Sequence, residues 1–267
     1  MGSLTSEKSA SVETWLADWN RTLDQALQND EPEVVLQIAP IVLNLLPRHV
    51  GIYQRLLRAL WSLKRWHEGA EWARRLLQAD PANALAWRAL GRAAEQEGNR
   101  QEANSIFRRA FECDPYEPEI RSSVRRTSLI GEKSLELNLA CLATLYLRGQ
   151  RWQQAAESYR SLLQYDSRRV DFQCGLLMAL WQGGAERDSY QLAQELRHSY
   201  PHLLLAWTVV NEFGDENDRA LAYQPLQSMD PDCDYRRHWW GVSVELQAVE
   251  LWVSEEVAEL QSGKVTK

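Results

Sequence analysis

Pro47, Pro81 and Pro115 stand 34 residues apart twice running, and nothing else in the chain constrains its fold as much. Ser167 and Pro201 repeat the step, and Pro231 follows after 30. Reading backward from each marker gives one spacing five times. Ala103, Phe107, Ala110 and Pro115 define it. The same offsets hold for Gly69, Ala73, Leu76 and Pro81, and for Val35, Ala39, Val42 and Pro47. They return in Ala155, Tyr159, Leu162 and Ser167, then in Ser189, Ala193, Leu196 and Pro201. Sixteen residues before Ala103 sits W-x2-L-G, formed by Trp87, Leu90 and Gly91. Its counterparts are Trp19, Tyr53, Leu139 and Gln173, and Trp207 opens a shortened last unit. A recurrence of this period means stacked supersecondary units, because one unit alone cannot bury its apolar face.

Within each unit, apolar residues recur at three and four, which predicts two antiparallel helices. Gly98-Asn99 and Gly183-Gly184 mark the turns between halves. Gly69, Gly91 and Ala103 are small enough to let paired helices approach closely, while Trp87 and Phe107 fill the space around them. A proline cannot continue a helix, so each terminal proline sets where the next helix begins.

This pattern resembles the tetratricopeptide repeat family over roughly residues 15–235. The copy from Ala84 to Asp114 is nearly complete, with Ala94 where the family carries tyrosine. The resemblance implies an all-α, right-handed superhelical solenoid of about six helix pairs, with no sheet. Departures set the organisation. From Pro115 to Ser167 is 52 residues, one period plus 18, so an insertion at 116–133 carrying a helix over Glu119–Leu129 follows the third repeat. It either caps the first array, 13–115, or hinges it to a second, 134–235. Pro40 and Pro225 fall inside the second helices of the first and last units, as befits atypical end repeats. Residues 1–12 read as a disordered leader. Residues 236–267 read as a capping helix and tail, with Val242, Leu246, Val249, Val253 and Leu260 on one stripe. Trp239 and Trp240 are adjacent, so one packs under the last repeat or meets a partner.

No glycine-rich phosphate loop or nucleophile elbow occurs, and no acid, base, nucleophile or metal set converges at readable spacing. The chain therefore reads as no enzyme, with no cofactor and no metal. His198 and His202 are separated by the helix-breaking Pro201. Asp230, Asp232 and Asp234 begin like a calcium loop, but Tyr235 and Gly241 occupy the places needing glycine and glutamate. Cys113, Cys141, Cys174 and Cys233 form no CxxC pair and read as small hydrophobes. Met1-Gly2 with Ser6 reads as a short polar leader rather than a lipidation signal. Arg125-Arg126-Thr127-Ser128 reads as a solvated basic face rather than a kinase site. No stretch approaches the ~18 apolar residues of a membrane span, and no signal-peptide core follows Met1, so the expected address is cytoplasmic.

The net charge of −7 conceals a basic middle. Residues 48–126 carry 15 basic and 10 acidic groups, against 2 and 7 before them and 13 and 20 after. In the family, the residue after the signature aromatic and the one four later face the concave groove. Carried over, these are Asn20 and Asp24, Gln54 and Arg58, Arg88 and Arg92, Ala140 and Thr144, Cys174 and Met178, Thr208 and Glu212. The peptide-binding groove is therefore expected at Asn20, Gln54, Arg58, Arg88, Arg92, Cys174 and Met178, basic in repeats two and three and more apolar beyond the insertion. The competing reading is a neutral surface, with Asp24 pairing Arg58 and Glu95 offsetting Arg92. The clamp by which one subfamily grips a chaperone's C-terminal carboxylate would need Lys or Asn at Asp24, Arg55, Leu85 and Ala89; Asn20 alone fits. The resemblance implies a scaffold or adaptor binding a peptide or protein segment that bears acidic groups. The alternative is a regulatory module acting with nucleic acid through residues 48–126, which the overall pI near 5.4 disfavours. A second copy of the chain could join through the C-terminal helix.

Overall fold

The computed structural model describes residues 11–128 and 135–261. In chain order its elements are β1 (Ser11–Trp15), α1 (Leu16–Gln28), α2 (Pro32–Leu45), α3 (Val50–Ser62), α4 (Trp66–Ala79) and α5 (Ala84–Gln96). Next come α6 (Arg100–Cys113), α7 (Pro118–Thr127), α8 (Leu139–Arg148), α9 (Trp152–Tyr165), α10 (Val170–Gln182) and α11 (Glu186–Ser199). The last are α12 (Leu204–Phe213), α13 (Glu216–Met229), α14 (Asp234–Trp240), β2 (Glu250–Ser254) and α15 (Glu255–Gln261).

The period survives into the helices residue for residue. Helices α1, α3, α5 and α7 begin at Leu16, Val50, Ala84 and Pro118, each one period after the last. Helices α2, α4 and α6 begin at Pro32, Trp66 and Arg100 on the same step. The turn inside five of the pairs holds one left-handed residue, at Asp30, Lys64, Gly98, Gln150 and Gly184, whereas Gly214 in the α12–α13 turn has φ −72°. The signature residue and the marker are chemically joined. Trp87 Nε1 donates to the Pro81 carbonyl and Trp207 Nε1 to the Pro201 carbonyl, both at 2.8 Å. Gln173 Nε2 donates to the Ser167 carbonyl at 2.8 Å, and the Tyr53 hydroxyl donates to the Pro47 carbonyl. Each bond satisfies a carbonyl in the bend between repeats, so the side chain at that register needs a donor more than an aromatic ring.

The chain divides into two compact units, residues 1–59 with 230–267, and residues 60–229. In the second unit, α4 through α7 pack each on the next, as do α8 through α13, and α6, α8, α10 and α12 also touch in sequence. Gly91 permits the α5–α6 contact: a Cβ there would lie 2.7 Å from the Phe107 ring. Pro40 and Pro225 sit inside α2 and α13 as expected, neither ending its helix.

The insertion holds a helix, α7, but it begins on the repeat register. Pro115 is a marker, and Arg121 stands one period after Trp87 and donates to the Pro115 carbonyl at 3.0 Å. Helix α7 is thus the first helix of a further repeat. The face of α6 is covered both by Ile120 and Val124 of α7 and by Cys141 of α8, in one cluster with Ala103, Phe107 and Phe111. The divide between compact units does not fall at 116–133. Residues 129–134 lie outside the described residues, as do 1–10 of the expected leader.

Two expectations are corrected in the first unit. The long C-terminal helix does not form, because Gly241 adopts φ 66° and ends α14 at Trp240. Residues 250–254 instead form β2, which pairs antiparallel with β1 in the register Ser11↔Ser254 to Trp15↔Glu250. The fold is therefore helical with one two-stranded sheet, and the segment expected as leader is already strand at Ser11. The alternation is clean: Thr14, Leu251 and Val253 are buried, while Glu13, Trp15 and Trp252 face out. Thr14 secures the ladder through its hydroxyl, which donates to the Leu251 carbonyl and accepts from Trp19 Nε1. Dimerisation through an exposed long helix loses its basis.

Candidate functional site

The groove residues carried over from the repeat register are placed unequally. In the first unit, Asn20 and Gln54 are buried, and Asn20 Nδ2 donates to Asp232 at 2.7 Å. Arg58 is exposed, its guanidinium 5.7 Å from the centre of the Trp239 ring. In the second unit, Cys174 is buried, and that burial pushes its thiol well above the usual range. Met178 is half-buried four residues on.

Arg88 and Arg92 come together with partners that the sequence reading had left apart. The Arg88 guanidinium lies 4.0 Å over Trp61 and bonds Glu119 at 2.7 Å, with Glu117 at 3.6 Å. Its side chain is only 14% exposed, and burial lowers its pKa despite those carboxylates. Arg92 lies 5.3 Å over Trp66 and bonds Glu95 at 2.5 Å. Glu95 in turn accepts two bonds from Arg126 of α7. Those Arg126 bonds first, then Arg92, hold the Glu95 carboxyl below its usual range. Trp61 and Trp66 meet edge to face at 4.9 Å. The surface is thus three guanidiniums, three carboxylates and two indoles, with little uncompensated charge. Glu95 offsets Arg92, and Asp24 bonds Arg55.

A spacing of 31 runs through these pairs. Arg88–Glu119, Glu95–Arg126 and Asp24–Arg55 all show it, as does the bond from Trp181 Nε1 to Glu212. One period less three residues carries a side chain to the neighbouring first helix, one turn back. That signal was available in the sequence and was missed.

Sequence reasoning also missed a polar cluster within the first unit. Arg55 is 1% exposed and forks onto Asp24 while reaching Asp234 at 2.8 Å. His49, wholly buried, stands 3.5 Å from Asp232, and Asp230 bonds Arg236 at 2.7 Å. The three alternating aspartates are therefore held by protein groups. Among the described residues, no group of three or more His, Cys, Asp or Glu side chains is arranged to hold a metal ion. Thr127 of the basic-directed motif is buried, and Arg100 caps the carbonyls of Arg126, Thr127 and Ser128. No helix among the described residues is long and apolar enough to cross a membrane.

Stacked two-helix units, joined by a donor-to-marker bond and presenting first-helix side chains one period apart, define the class of helical-hairpin repeat proteins. The tetratricopeptide repeat description matches residues 55–118 and 142–202, so the chain carries tetratricopeptide repeats in those two regions. No curated protein matches it. A chain in a solved structure titled "Structure of Naa15/Naa10 bound to HypK-THB" is 17% identical with a TM-score of 0.31. The alignment covers 93% of this chain and 34% of that one, so this chain spans about a third of its length. Tetratricopeptide repeats of this kind serve in protein–protein interaction.

Proposed function

We propose that the chain is a non-catalytic scaffold that holds an extended, acidic segment of a partner protein against its first-helix surface. The observation supporting this is the Arg88–Trp61 and Arg92–Trp66 pair, in which each guanidinium is splinted on an indole. A splinted guanidinium has already lost its rotamer freedom, so exchanging Glu119 or Glu95 for a partner's carboxylate costs little ordering entropy. Glu119 is 58% exposed and so the more easily exchanged, whereas Glu95, 17% exposed, is shared with Arg126. Met178, in the same unit as Arg88 and Arg92, is assigned an apolar contact. Asn20, Gln54 and Cys174 are buried and are assigned no contact with the partner. The nucleic-acid reading loses support because Arg88, Arg92 and Arg126 bond carboxylates of the same chain. The proposed address is cytoplasmic, where the reducing environment suits four cysteines that stand as free thiols.

The experiment is binding of the partner recovered from the native host's lysate, compared between the chain and its Arg88→Gln/Arg92→Gln variant. Affinity should fall at least roughly tenfold, chiefly through slower association at low salt. Unchanged affinity, with the variant folded, overturns the groove assignment. A salt slope equivalent to several phosphates would favour nucleic acid instead.

A further inference from the structure

The second unit contains a cleft of about 510 Å³ away from Arg88 and Arg92. Leu77 of α4, Trp87 of α5, Arg109 of α6 and the turn Asp166–Arg169 with Val170 and Asp171 line it. Its three guanidiniums are in different states. Arg169 is saturated: it forks onto Asp171, bonds Glu112 at 2.7 Å, and lies 3.8 Å over Phe172. Arg109 lies 5.0 Å over Trp87 and, among the described residues, makes no ion pair. The Arg168 side chain is 95% exposed and comes only within 4.0 Å of Asp166. Two underused cations thus line the cleft together with Leu77, Val170 and Trp87.

We propose that this cleft takes one carboxylate side chain, with an apolar side chain beside it, from an extended segment of a partner protein. Arg109 and Arg168 receive the carboxylate. A guanidinium held on an aromatic face presents its N–H edge outward, which is the edge a carboxylate bonds in a fork. The apolar neighbour covers Leu77 and Val170. Asp166 on the same lining can accept from a peptide N–H, and it and Asp171 would repel a phosphate backbone. Trp87 cannot stack a nucleobase on the face that Arg109 occupies, and its Nε1 is committed to the Pro81 carbonyl. The chemistry therefore favours a peptide over nucleic acid. This proposal does not rest on the groove reading, since neither Arg88 nor Arg92 lines the cleft.

The test uses the full chain and three fluorescein-labelled twelve-residue peptides in one Gly/Ser frame, with Glu-Leu, Gln-Leu or Glu-Ser at the centre. Fluorescence anisotropy should show Glu-Leu binding, with the other two weaker by roughly tenfold, as expected on losing a charge-assisted bond or a buried apolar side chain. Arg109→Gln and Arg168→Gln should each weaken Glu-Leu by a similar factor, while Arg187→Gln, at an exposed arginine of α11 outside the cleft, should leave it unchanged. Because Arg168 is exposed, its variant decides the matter should Arg109→Gln fail to fold. Absence of Glu-Leu binding, equal affinity for all three peptides, or indifference to Arg168→Gln overturns the proposal. So does competition by a twelve-nucleotide oligothymidylate that Arg168→Gln abolishes, which would assign the cleft to nucleic acid.

Discussion

Lys64 and Gln150 occupy the turn position that Gly98 and Gly184 hold in other repeats, and both have φ 56°. For a residue with a Cβ that conformation costs about 1–2 kcal/mol, partly offset by the chain entropy that a glycine would lose. Lys64→Gly and Gln150→Gly should therefore each raise stability by up to ~1 kcal/mol, seen as a higher urea midpoint with an unchanged slope. Gly98→Ala should lower it by about 1 kcal/mol although nothing lies within 4 Å of the added Cβ, because the backbone alone resists. At Gly91 the resistance is steric instead: Leu there meets the Phe107 ring, and overpacking should cost ~1–3 kcal/mol in the same measurement. Glu95 supplies a pH prediction. Its folded pKa is depressed, chiefly by Arg126, so its contribution is present above the ordinary carboxylate pKa and is lost as pH falls through the lowered value. Comparing Glu95→Gln with the parent by urea melts, the stability difference should be largest at neutral pH and shrink on acidification below the carboxylate range. A difference independent of pH would remove Glu95 from that role.

Among the elements, the helix pairs were legible because each repeat buries the same face against the same neighbour, so packing writes its period into the sequence. Helix α7 was legible as a helix but not as a repeat helix: its signature position carries Arg121, which shares only the donor, not the ring, with Trp87. That misassignment also hid Glu117, Glu119 and Arg126, which decide the charge of the Arg88–Arg92 surface. The C-terminal strand was not legible. Val242, Leu246, Val249 and Val253 fit a helical stripe as well as Leu251 and Val253 fit a strand face, and the deciding partner lies at the other end of the chain. Pairing so distant in sequence leaves no local trace. Leu251→Asp should break the ladder by placing a charge on its buried face. The measurement is hydrogen exchange at the amides of β1 and β2, which should speed by orders of magnitude while those of α9 and α10 keep their rates.

For the whole molecule, the division into two compact units has an energetic signature. Arg55 bonds Asp24 near the start of the chain and Asp234 near its end, and both belong to the unit formed by residues 1–59 and 230–267. Arg55→Ala strands two partly buried carboxylates, and the cost should be about 3 kcal/mol. Hydrogen exchange followed by mass spectrometry should place the loss of protection in peptides from α1, α14 and β2, with peptides from 60–229 little changed. Uniform loss across both units would mean that they open as one.

The β1–β2 ladder finally sets an order in time. During synthesis β1 is complete long before Glu250 is added, and the whole of the second unit is made in between. Through that interval the N–H and C=O groups of β1 lack the strand that later pairs with them. A polypeptide cut short anywhere before β2 never acquires it, however well its repeats have stacked. Such a fragment carries an open strand edge with Trp15 beside it, the kind of surface on which chains aggregate and proteases act. Closure of the ladder thus distinguishes a chain that has reached β2 from one that stopped among the repeats.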